Sequence, residues 1–156
     1  FILPIFLYSQ LESAHWYFGN HAGLDFTSGS PVAVTDGVLN TLEGCASISN
    51  KQGNLLFYTD GGSVYNRNHK IMLNGTGLLG HYSSTQSAII VPDPYNKDIY
   101  YIFTVDDATR IESKGIHYSM VDMSLDSGLG AVVIDKKNIP LPLVFFRKNS
   151  SSKTCK

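Results

Sequence analysis

One stretch of this chain is written twice, and the repetition limits what it can fold into. Leu55-Leu56-Phe57-Tyr58-Thr59 is answered 45 positions later by Tyr100-Tyr101-Ile102-Phe103-Thr104. Upstream, Ala46-Ser47-Ile48-Ser49 is answered by Ala88-Ile89-Ile90-Val91 at an offset of 42. Downstream, Ser63-Val64-Tyr65-Asn66 is answered by Gly115-Ile116-His117-Tyr118, and a longer loop at Asp107–Lys114 takes up the difference. Each unit thus reads strand, polar turn, apolar strand, Asp-containing turn, third strand. A period in the forties with this content is that of one β-propeller blade. A single small sheet buries little, so such units must pack face to face.

The rest of the chain has the same grain. Helical periodicity is absent, and short apolar or alternating runs are bounded by Gly, Asn, Asp, Ser or Pro. Strands are expected near Trp16–Phe18, Val32–Thr35, Cys45–Ser49, Leu55–Thr59, Val64–Asn66, Ser87–Val91, Ile99–Val105, Ile116–Asp122 and Ala131–Ile134. Turns are expected at Asn50–Asn54, Asp60–Gly62, Asn74–Gly77, Pro92–Pro94 and Asp126–Gly128. The expected fold class is all-β: antiparallel blades of a β-propeller, incomplete, with two to three blades where closed propellers have about four to eight.

Composition sets the outer limits. At 156 residues, with 43% apolar and 16% charged residues, the chain suits one globular domain with a core of its own. A formal net charge of −1 leaves no basic footprint for nucleic acid. Residues 1–9 read as the remnant of a signal peptide, apolar from Phe1 to Tyr8 with the small Ser9 at the expected cleavage point, and far too short to span a bilayer. Residues 10–141 form the partial propeller. Residues 142–156, with Leu143-Val144-Phe145-Phe146 and then a Ser/Lys tail, depart from the blade pattern and read as an aberrant or disordered tail. Cys45 and Cys155 lie far apart with no metal-ligand spacing, so they are read as unrelated thiols.

Chemistry-bearing motifs are sparse. There is no GxSxG, HExxH or phosphate-binding loop. Asp25, Asp36, Asp60, Asp106 and Asp122 flank turns, where at least four of the five are expected to bond backbone amides. His15, His21, His69, His81 and His117 fall at no metal-selecting spacing. The Asp93–Asp98 loop lacks a DxDxDG pattern and reads as a hairpin loop rather than a calcium site. Around Ser49–Leu56, Ser49 and Gly53 match the S-x-D-x-G-x-x-W turn of sialidase-type propellers, but Lys51 replaces its Asp and Leu56 its Trp. No catalytic residue, cofactor or metal is therefore expected. A ligand-binding surface is expected on the polar loops carrying Asn66, Arg67, Asn68, His69, Thr85 and Gln86.

A set of ordered motifs carries a resemblance. WYFGNHAGLDF (Trp16–Phe26), EGCASIS (Glu43–Ser49), GNLLFYTDG (Gly53–Gly61), VYNRNHKIM (Val64–Met72), NGTGLLG (Asn74–Gly80), SSTQSAIIVP (Ser83–Pro92) and YYIFTVD (Tyr100–Asp106) span most of the chain. Together they resemble the N-terminal region of large secreted Bacteroidota proteins that end in a gliding-motility-associated C-terminal sorting domain. The resemblance implies an exported, multi-domain surface protein carried by type IX secretion, with a propeller-like front part. The function expected is a non-catalytic adhesion or binding module at the cell surface. Its partners would be a protein or glycan ligand and the remaining blades of the full-length chain, with no nucleic acid and no transmembrane segment. The alternatives are part of a sialidase-like or other glycoside hydrolase propeller, and a purely structural spacer.

Overall fold

The computed structural model describes residues 11–107 and 113–142. The expected leader, all but the first residue of the expected tail, and Cys155 lie outside them. Among the described residues there are twelve strands and no α-helix. β1 (His15–Phe18), β2 (Ala22–Asp25) and β3 (Val32–Val34) form a three-stranded antiparallel sheet. β4 (Ala46–Ser49), β5 (Leu55–Thr59), β6 (Ser63–Asn66) and β7 (Ile71–Thr76) follow as an antiparallel meander in chain order. β8 (Ala88–Pro92), β9 (Ile99–Val105) and β10 (Ile116–Asp122) form a third, with the short β11 (Ala131–Val132) and β12 (Ile139–Pro140) both paired to β10. A single parallel pair, Ala131 against Leu73, joins the second and third meanders into one order, β4-β5-β6-β7-β11-β10-β9-β8. Its end strands β4 and β8 pack beside each other, so this sheet nearly closes on itself like a flattened barrel.

The second meander is covered on both faces. On one, Ile48, Phe57 and Val64 meet Tyr100, Ile102 and Val121 of the third. On the other, Leu55 and Tyr58 meet Tyr17 of β1 and Leu39. Strict alternation would put Leu55 on Phe57's side. A bulge prevents this: Ser49 pairs with Leu55 but Ile48 with Phe57, so Leu56 is an extra residue and the facing of β5 changes there. Two glycines let the segment before β8 approach. A Cβ on Gly44 would lie 2.1 Å from the Ser87 amide nitrogen, and one on Gly61 (φ 89°) 2.0 Å from the Ser87 hydroxyl. Through that gap Ser87 Oγ donates to the Asp60 carbonyl at 2.7 Å.

β5, β9 and β10 span the expected bounds, and β1, β3, β4, β6 and β8 lie within one residue of them. Three strands go beyond the sequence reading. β2 carries a glycine and no β-branched residue, and β12 is two residues long. β7 runs through Asn74-Gly75-Thr76, which reads as a turn but stays in the ladder, Asn74 taking a φ of 59°. Val133–Ile134 leaves the expected strand, and a 3₁₀ turn begins at Ile134.

The repeat also shifts by one residue. At the offset of 45, Phe57 and Ile102 are equivalent, yet they face each other across one core. Matching the turns corrects this. Asn50 Oδ1 accepts the N–H groups of Gln52 and Asn54, as Asp93 Oδ1 accepts those of Tyr95 and Asn96. Asp60 caps Gly62 and Ser63, as Asp106 caps Asp107 and Lys114. Pairing Asn50 with Asp93 and Asp60 with Asp106 moves both strands one position, so that Ile48 answers Val91 and Phe57 answers Phe103. A one-residue slip inverts every side chain of a strand, which is why the turn caps align the units better than the apolar letters do.

Candidate functional site

The expected binding loops are built into the scaffold. Asn66 is buried, and its Oδ1 accepts the N–H groups of Asn68 and Lys70, closing the β6–β7 turn. Arg67 donates to the Gly128 carbonyl. His69, at φ 58°, reaches back to the first sheet. The Val38 N–H donates to the Tyr58 hydroxyl at 3.2 Å, and that hydroxyl shares a hydrogen bond with His69 Nδ1 at 3.0 Å. His69 Nε2 faces Asp36 Oδ2 at 3.4 Å. Tyr17 donates to the other Asp36 oxygen at 3.1 Å. Burial first, and then the Asp36 charge, push the Tyr17 phenol well above the ordinary tyrosine range. Asp36 thus departs from the turn-shaping role expected of it. Asp25, Asp60, Asp106 and Asp122 keep that role, each accepting backbone N–H bonds at a turn.

Thr85 and Gln86 sit in the exposed loop before β8, against Gly44, with no recorded bond to the Asn66–His69 turn. The Arg67→Ala/His69→Ala variant is expected to lose about 2 kcal/mol, the sum of two hydrogen-bonded anchors. Urea unfolding measures this, and unchanged stability would return these residues to candidacy for ligand binding.

Two loops that the sequence treats only as turns enclose a cleft of about 670 Å³. One wall is the β4–β5 turn with Asn50, Lys51 and Gln52; the other is the β8–β9 loop with Pro94, Tyr95 and Lys97. Ile48, Leu56 and Met123 supply apolar surface, and Glu12 and Asp98 bring carboxylates. The β8–β9 loop is stiff. Asp93 N–H donates to the Ile99 carbonyl at 2.9 Å, Asn96 Oδ1 accepts from Asp98 N–H at 3.1 Å, and the Tyr101 hydroxyl donates to Asp93 Oδ2 at 3.3 Å. The Tyr95 N–H, followed by that of Asn96, holds the Asp93 carboxyl below its usual range. Tyr100 at the cleft is pushed up, by burial and then by the Asp98 and Glu12 charges.

This lining mixes apolar surface with charged groups of both signs, and among the described residues that form it there is no histidine, cysteine or serine. Nor is any group of three or more His, Cys, Asp or Glu side chains among the described residues placed to hold a metal ion. A smaller cleft of about 330 Å³ lies along β1 and β4 beside Trp16, Phe18 and Cys45. Burial raises the Cys45 thiol pKa and keeps it in the unreactive form. No helix among the described residues is long and apolar enough to cross a membrane. Comparison with known proteins returns no match to a family model, to a curated protein or to a solved structure. The sequence signal for the cleft was a tyrosine placed in a turn cluster, Pro92-Asp93-Pro94-Tyr95, rather than in a strand run.

Proposed function

We propose that the three-stranded sheet and the two meanders of the larger sheet are consecutive blades of a β-propeller, and that the chain is a non-catalytic binding module of an exported cell-surface protein. The shared facing of the repeated strands carries the reading. With the turn caps matched, Ile48 and Phe57 of the second meander answer Val91 and Phe103 of the third. The second meander uses its set to pack on the third, so the third presents the same positions outward. That relation supports a rotation repeated from meander to meander rather than a two-fold sandwich. The first strands of the meanders also pack in sequence, β1 beside β4 and β4 beside β8, as strands around a propeller axis do.

The outward face of the third meander agrees. Ile89, Phe103 and Tyr118 lie in register across three strands, as do Val91, Tyr101 and Met120. A face so apolar fits another sheet, and the occupant is a further blade of the same protein. Without that blade, the chain is expected to self-associate at micromolar concentration. The Ile89→Lys/Val91→Lys variant, at positions 48% and 39% exposed, is expected to be monomeric with its melting temperature unchanged. Sedimentation velocity tests this, and a monodisperse, unsubstituted monomer would count against continuation of the stack.

Binding itself is tested on a glycoprotein surface, before and after enzymatic removal of its glycans, by surface plasmon resonance. Retention on either surface supports the module reading. Failure on both removes it.

A further inference from the structure

We propose that the cleft between the β4–β5 turn and the β8–β9 loop binds a short neutral oligosaccharide, with Tyr95 as the ring on which a sugar stacks. The proposal names the ligand class of the binding module above and rests on that reading.

Tyr95 is 97% exposed, the most exposed of the large hydrophobic side chains described. Its backbone, however, is fixed, with its own N–H and that of Asn96 held at 2.8 and 2.9 Å by Asp93 Oδ1. The turn uses residue 95 through its backbone N–H, and the ring itself stands in solvent. An aromatic side chain held in water on a rigid loop loses little entropy when a ligand covers it, which is the property of a binding anchor. Its flat apolar face and hydroxyl tip suit a ligand that is itself apolar on one face and hydroxylated at its edge.

The rim selects among such ligands. Lys51, Lys97 and Gln52 offer donors, while Asp98 and Glu12 offer acceptors. A sugar hydroxyl donates and accepts together, so it uses both kinds of group. A cationic or anionic ligand would meet an opposing charge wherever it met a favourable one. Glu12 adds an independent sign. Its Oε2 is the one carboxylate oxygen among the described residues that is buried without a hydrogen-bond partner. Turning that carboxylate toward a ligand hydroxyl relieves the deficit. The cleft volume of about 670 Å³ falls within the range of ligand pockets, and Leu56 and Met123 give the C–H faces of a sugar apolar surface to cover.

The test is titration of the ¹⁵N-labelled chain with three probes: the trimers of β-1,4-linked glucose, β-1,4-linked N-acetylglucosamine and α-linked mannose. Amide shifts with at least one of them are expected in residues 50–54 and 93–98. Tyr95→Ala and Asp98→Asn should each weaken that binding about tenfold or more without changing the melting temperature. Tyr82→Ala, at a tyrosine 62% exposed on the loop before β8, should leave it unchanged. If none of the three sugars moves either loop, or if Tyr95→Ala binds as tightly as the unsubstituted chain, the proposal is overturned. Retention on the glycoprotein surface after its glycans are removed, undiminished in Tyr95→Ala, would overturn this site while leaving the binding-module reading standing.

Discussion

Replacing Tyr58 with alanine is expected to cost about 4 kcal/mol of stability, a large share of the roughly 5–15 kcal/mol that holds a domain folded. Tyr58 is fully buried where the second sheet meets the first. Its ring stacks on Tyr17 at 4.6 Å and on Tyr65 at 5.4 Å, with His69 beside it at 5.8 Å. Truncation removes those contacts and opens a cavity between two layers that cannot collapse without moving a strand. It also strips the Val38 N–H and His69 Nδ1 of their shared partner, and a polar group left unpaired costs more than the bond it loses. Tyr58→Phe isolates the second effect and should cost about 1–2 kcal/mol. Urea midpoints for the pair decide the matter. A Tyr58→Ala loss below about 1 kcal/mol would mean that the first sheet is not firmly docked through this ring.

The same ring shows what the sequence made legible. Phe57 and Tyr58 are adjacent letters in one apolar strand, so a strand buried on both faces could be read directly, and β5 begins and ends where expected. Which face each residue serves was not readable, because the bulge at Leu56 leaves no mark in composition. Apolar residues substitute freely for one another, so aligning Thr59 with Thr104 looked as good as aligning Asp60 with Asp106. The Asx caps are less interchangeable, since each needs its carbonyl oxygen at one place in the turn, and they hold the true register.

The site was harder to read than the fold. Asn66 to His69 drew attention as a dense run of polar side chains, yet three of those four groups complete hydrogen bonds inside the scaffold. Tyr95 lay in a loop that looked merely polar, and it became notable only when the fold left its ring in solvent beside the β4–β5 turn. Polar density in a sequence counts groups that the turns consume, whereas a binding surface consists of what remains.

The buried phenols also set an alkaline limit on the fold. Tyr17, Tyr58 and Tyr100 are all buried, and burial is the largest cause holding each hydroxyl above the ordinary tyrosine range. In the unfolded chain these groups release their protons near pH 10. Below that pH both states are protonated, and the contribution of the neutral phenols is fully present. Above it the folded state holds protons that the unfolded state has lost, so stability falls with rising pH until the folded groups titrate. Such a group removes at most about 1.4 kcal/mol per pH unit, and only between its unfolded and folded pKa. The chain should therefore keep its stability to about pH 10 and lose it progressively as the pH rises further. Phenolate absorbance followed alongside near-ultraviolet circular dichroism reads this directly. The buried set, Tyr17, Tyr58 and Tyr100, should ionise in one step with loss of the aromatic dichroism. Tyr17→Phe should make the pH dependence shallower. Gradual ionisation of every tyrosine in a chain that stays folded would show that these hydroxyls are open to water, and that the first and second sheets do not seal the interface between them.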